Sequence, residues 1–201
     1  MDTVTKAEKT RRRTVRSPSV RKPKTIEAFL RWEQPEGKYK YEWVDGALEK
    51  TEYMMKNRGL DIVRNIKRAF YTTDLFQQGG ELFAEAVVQL SEVKVRIPDL
   101  ASFSDEQIIA AKRGESPIPS FAVEIISPNE KGFKIEQKAL DYFAAGVQVL
   151  WQIYLNIRMV KVLTSPRNVQ VCFEQDVCSA APALPDLQLT TEALFGEEIV
   201  E

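Results

Sequence analysis

The chain has 201 residues, 44% of them hydrophobic and 28% charged, with a net charge of -1. That suits one domain with a substantial core and excludes disorder throughout. There is no histidine, which excludes Ser-His and Cys-His nucleophile pairs and a histidine general base, and leaves catalysis to carboxylates, Lys, Tyr, Ser or a metal held by oxygen ligands.

The charge is unevenly spread. Residues 1–24 hold nine Lys or Arg against Asp2 and Glu8, a tail of +7, and the rest of the chain is -8. With its Ser, Thr and Pro and no apolar periodicity, this segment reads as a disordered basic arm ahead of a domain at 25–201. Arg11, Arg12, Arg13 and Arg16 could contact phosphates without reading sequence, or the arm could be a solvated leader. The N-terminus lacks a secretory apolar segment, and the stretch around Ala144–Leu155 is broken by Gly146, Gln148 and Gln152, so a cytoplasmic protein without a membrane span is expected. Cys172 and Cys178 fit no common zinc spacing and read as reduced thiols.

Thr25 reads as the cap of a short helix carrying Ile26, Phe29 and Leu30, ended by Pro35-Glu36-Gly37. Tyr41–Val44 and Ala47–Tyr53 form a hairpin about Asp45-Gly46. Met54–Phe76 carries apolar residues at helical spacing and predicts one long helix, stopped by Gly79-Gly80. Leu82–Leu90 reads as one strand. Val93–Ile97 and Leu100–Phe103 form a further pair, or one strand bent at Pro98. A helix over 105–113 is capped by Ser104. Phe121–Ile126 is a strand buried on both faces, followed by a helix from about Glu130 to Ala145 and a strand from Val147 to Leu155, a parallel crossover in a largely antiparallel sheet. Met159–Leu163 and Val169–Phe173 form a hairpin, and Thr191–Phe195 a last helical turn.

Glu124 carries the most information, because an isolated carboxylate in an apolar strand costs several kcal/mol to bury. It is paired, protonated or metal-bound. Asp99, alone a turn aspartate, becomes half of an oxygen-ligand site if its strand neighbours that of Glu124, which suits Mg²⁺ or Mn²⁺. Lys138 borders the helix face of Ile135, Ala139 and Tyr142 and can reach such a site, or can snorkel at the surface; Lys134 sits among solvated neighbours. Glu42 takes part in the site or marks the solvent face of its hairpin.

Together TIEAFLRWE, YEWVDGALEK, RIPDLASFS, FAVEIISPNE, QKALDYFAAGVQVLWQI and LPDLQLTTEALF resemble, in order, the Uma-two family of restriction endonucleases within the PD-(D/E)XK superfamily, over roughly residues 25–196. The resemblance implies a restriction-endonuclease-like α/β fold, a central mixed sheet flanked by helices. It also implies metal ligands at Asp99 and Glu124 completed by the Ile125 carbonyl, and an acidic residue ahead of the core at Glu42. Where the superfamily places a lysine two residues after the second acid, this chain has Ile126, and Lys138 is the replacement candidate. The implied function is metal-dependent phosphodiester hydrolysis, with double-stranded DNA as partner and room for a homodimer if both strands are cut. The rivals are an inactive nuclease fold serving as a DNA-binding module and a protein-interaction module.

Overall fold

The computed structural model describes residues 22–37, 39–52 and 58–196. The arginines proposed for phosphate contact, and residues 53–57, lie outside them.

Helix α1 (Ile26–Leu30) starts where expected: the Thr25 hydroxyl accepts the Ala28 N–H at 3.2 Å. It stops at Arg31, short of Pro35, with Phe29 buried and Ile26 packed beside it. Strands β1 (Tyr39–Val44) and β2 (Ala47–Glu52) join through Asp45 (φ 49°) and Gly46 (φ 83°), the paired left-handed residues of a two-residue hairpin turn.

Helix α2 (Arg58–Phe70) and the one-turn α3 (Asp74–Gln77) replace the single long helix predicted over Met54–Phe76. Thr73 divides them. Its hydroxyl donates to Phe70 O at 2.7 Å and accepts the Phe76 N–H at 3.3 Å, closing one helix and capping the next. The strand expected over Leu82–Leu90 is also two, β3 (Glu81–Ala84) and β4 (Val88–Ser91), in different sheets. The chain turns between them at Glu85, φ 53°, whose N–H bonds Asp99 O.

Strands β5 (Lys94–Arg96) and β6 (Leu100–Phe103) likewise belong to different sheets, with Pro98 in the crossing. Helix α4 (Asp105–Lys112) opens on a reciprocal capping box between Ser104 and Gln107. Then follow β7 (Phe121–Ile126), α5 (Gly132–Ala145) ending at left-handed Gly146 (φ 107°), and β8 (Val149–Tyr154). The hairpin β9 (Met159–Ser165)–β10 (Asn168–Cys172) is as expected. A second hairpin, β11 (Val177–Ala180)–β12 (Leu184–Thr190), fills a stretch where the pattern assigns no element, and α6 (Thr191–Phe195) closes the domain.

A six-stranded mixed sheet, β10-β9-β8-β7-β6-β3, forms the centre, and β7 and β8 are its parallel pair. One face carries Phe121, Val123, Ile125, Trp151 and Ile153 and packs on Ile62, Ile66 and Phe70 of α2, on the β11–β12 hairpin and on α6. The other carries Ala122, Leu150 and Leu163 and packs on Ala139 and Tyr142 of α5. With both faces covered, all six residues of β7 are buried, as the unbroken apolar run predicts. A smaller antiparallel sheet, β2-β1-β5-β4, has its own cluster of Phe29, Trp43 and Val95. The chain passes from small sheet to large through Ile97-Pro98-Asp99.

Candidate active site

β6 pairs with β7 only at Leu100↔Val123 and Ala101↔Ala122, so the Glu124–Ile126 end of β7 runs beyond it. Asp99, arriving from the small sheet, fills the opening. Its N–H donates to Val123 O at 2.9 Å, and its Oδ2 accepts the Ile125 N–H at 2.6 Å. An extended residue directs its N–H and C=O to the same strand edge, so the Ile125 carbonyl also faces this opening. The other Asp99 oxygen, Oδ1, accepts from Lys40 Nζ at 2.8 Å. Glu124 lies on the α5 side of β7. Its Oε1 accepts the Tyr142 hydroxyl at 2.6 Å and its Oε2 accepts from Lys138 Nζ at 3.2 Å. Both carboxylates are about 3% exposed.

Lys138 is equally buried, and three acids surround its ammonium: Glu124 at 3.2 Å, Glu130 at 3.3 Å and Glu42 at 3.7 Å. Glu42 in turn accepts the Ile97 N–H at 2.9 Å and Arg96 Nη1 at 3.0 Å. Fully buried Arg96 also bonds Asp141 of α5 through Nε and Nη2, at 3.1 and 2.6 Å, and Glu49 of β2 at 3.1 Å. Lys94 and Gln137 hold the remaining Asp141 oxygen. The small sheet therefore meets α5 through a layer of alternating charges.

Burial disfavours every charge in this layer, so the partners decide each titration. For Lys138, burial is outweighed by Glu124, Glu42 and Glu130, and its pKa rises; for Lys40 it is outweighed by Asp99 and Glu124, again a rise. Burial pushes the Glu42 pKa up, but Lys138, Arg96 and Lys40 bring it below the ordinary value. Glu124 goes the other way. Burial raises its pKa, and although Lys138 and Lys40 oppose this, the nearby Asp99 and Glu42 add to it. Burial and Glu124 together push the Tyr142 hydroxyl well above its usual range, so it stays a donor.

The donor set fits a hard divalent ion in kind: two buried carboxylates, with the Ile125 carbonyl at the strand opening beside them. Among the described residues no three Asp, Glu, His or Cys side chains converge as a metal cluster, so carbonyl or water oxygens must complete the coordination.

Glu42, Asp99, Glu124 and Lys138, singled out in the sequence, thus lie in one connected network, with Ile125 in contact through its backbone. Glu42 is not on a solvent face; it is 1% exposed. Lys134 is half-buried, paired with Glu49, outside the centre. Sequence reasoning missed Lys40, Arg96, Glu130, Asp141 and Gln152, the last buried opposite Glu124 on β8. Lys40 had a signal: it shares a strand face with Glu42, two residues on.

The fold has a counterpart among solved structures. The fold matches that of the crystal structure described as a putative nuclease belonging to DUF820 from Anabaena variabilis ATCC 29413, with a TM-score of 0.71 and 21% identity, covering 86% of this chain and 98% of that one. No curated protein sequence matches the chain. The model of the Uma2 family, described as "Putative restriction endonuclease", matches residues 26–192, and the chain belongs to that family. Among the described residues no helix is long and apolar enough to cross a membrane.

Proposed function

We propose that this protein is a divalent-metal-dependent endonuclease that hydrolyses phosphodiester bonds in DNA. The observation that carries the reading is the buried Asp99–Glu124 pair at the β6–β7 opening, with Lys138 held against Glu124. Asp99, Glu124 and the Ile125 carbonyl would hold Mg²⁺ or Mn²⁺. The bound ion would supply Lewis acidity, lowering the pKa of a water and offsetting charge on the phosphoryl oxygens.

The chain's own groups do the rest. Lys138, kept charged by three acids, orients the attacking water and offsets developing negative charge. Tyr142 fixes the Glu124 oxygen that Lys138 does not touch. Glu42 has both oxygens committed to Arg96 and the Ile97 N–H, so its role is to position Lys138. Arg11, Arg12, Arg13 and Arg16 would add salt-dependent phosphate contacts, and cutting both strands would engage a homodimer.

A second reading, an inactive nuclease fold that binds DNA, is favoured by one observation: all four oxygens of Asp99 and Glu124 already have protein donors. Cleavage of supercoiled plasmid with Mg²⁺ or Mn²⁺ separates the two. Cutting abolished by EDTA and by Glu124→Ala supports the nuclease; no cutting of plasmid, single strands or RNA, together with no metal binding by calorimetry, supports the second reading.

A further inference from the structure

Lys40 has no part in the hydrolytic scheme above, yet it is 3% exposed and its ammonium lies within the site. Its Nζ is bound by two oxygens, Asp99 Oδ1 at 2.8 Å and the Ile97 carbonyl at 2.8 Å. A carboxylate and a backbone carbonyl are the donors a hard divalent ion takes. We propose, resting on the metal-dependent reading of this site, that Lys40 is a resident counter-ion of Asp99 that gives up its place to the divalent ion when the ion binds.

The two buried lysines differ in what holds them. Lys138 is fixed by Glu42, Glu124 and Glu130 together, whereas among the described residues Lys40 pairs with a single carboxylate. Lys40 is therefore the exchangeable cation. Its departure frees the Ile97 carbonyl and one Asp99 oxygen and leaves the other anchors of the site in place. Asp99 remains anchored by the Ile125 N–H, Glu42 by Arg96 and the Ile97 N–H, and Glu124 by Lys138 and Tyr142. In the absence of metal, Lys40 is the charge partner that Asp99 has within salt-bridge distance among the described residues. The same contact makes the ion compete with an internal cation, which sets a threshold on its concentration.

The test is Mn²⁺ binding by calorimetry to the full chain and to Lys40→Met, with Lys40→Gln as a second variant that keeps a donor for Asp99 but removes the charge. Exchange predicts about ten- to a hundredfold tighter binding in both variants. It also predicts a lower unfolding temperature in EDTA that recovers in Mn²⁺. A side chain that only braces β1 would not raise affinity. In the unaltered chain, the ¹H–¹⁵N signal of the Lys40 ammonium, assigned by its loss in Lys40→Gln, should shift or vanish on Mg²⁺ addition. Equal or weaker Mn²⁺ affinity in a folded variant, or an ammonium signal unmoved at saturating Mg²⁺, overturns the exchange. If that happens while the unaltered chain binds metal and cuts DNA, the nuclease reading survives alone; if no chain binds Mn²⁺, both fall.

Discussion

Replacing Lys138 by methionine removes the ammonium that Glu124, Glu42 and Glu130 share, at nearly unchanged volume. Breaking a buried ion pair by removing one partner costs about 3–5 kcal/mol. Glu124 can recover part of this by taking a proton, since burial already raises its pKa. A net loss of about 3 kcal/mol corresponds to a fall in unfolding temperature of about 6–12 °C for a domain of this size. The pH dependence has a definite sign. A carboxyl whose folded pKa is raised costs stability when ionised, and that cost fades as the pH falls through the folded pKa. Lys138 in the unaltered chain has a raised pKa and stays charged throughout. Thermal unfolding in EDTA should therefore show a gap at neutral pH that narrows on acidification. A gap below about 2 °C at neutral pH, or one that widens on acidification, is incompatible with a Lys138 ammonium that stabilises these buried acids.

Three further outcomes follow from the same contacts. Arg96→Lys cannot reproduce a guanidinium that bonds Asp141, Glu42 and Glu49 at once, and urea unfolding should show a loss of about 2–4 kcal/mol. Asp141 is opposed by burial but held below its ordinary pKa by Lys94 and Arg96, so its contribution is present at neutral pH and lost as the pH drops below about 4. Asp141→Asn should flatten the acid limb of the stability curve, and an unchanged slope would count against the assignment. Gly80→Ala would set a Cβ 2.7 Å from Leu75 Cγ and under 3 Å from the carbonyl oxygens of Leu75 and Phe103, so chemical denaturation should register a loss of about 1–3 kcal/mol.

Much of this fold is legible in the chain because apolar periodicity reports burial directly. β7, the α5 crossover and the Asp45-Gly46 hairpin stand where Phe121–Ile126, the spacing around Ile135 and the turn residues put them. The long helix misleads because Thr73 both closes and caps, a hydrogen-bonding choice that apolar spacing does not encode. The β11–β12 hairpin hides behind Ala181-Pro182-Ala183, which reads as loop although Cys178, Leu184 and Leu187 are core. In the site, Glu124 is conspicuous as a charge in an apolar strand. Lys40, Glu42, Lys94 and Arg96 alternate with apolar residues, a pattern equally suited to a face in water. Here that face meets Asp141 and Lys138 of α5, and only the tertiary arrangement reveals it.

The charge layer between the small sheet and α5 reads, residue to residue, as Lys94, Asp141, Arg96, Glu42, Lys138, Glu124, with signs alternating along its length. Such a chain has little tolerance for solitary drift: neutralising an interior member takes one opposite charge from each of its two neighbours, which carry like charge. Among descendants of this sequence, change at these positions should therefore arrive in compensated pairs, a lost guanidinium accompanied by a lost carboxylate. Anyone moving the Asp99–Glu124 pair into another scaffold inherits the same rule and must transplant the alternating row along with the two acids.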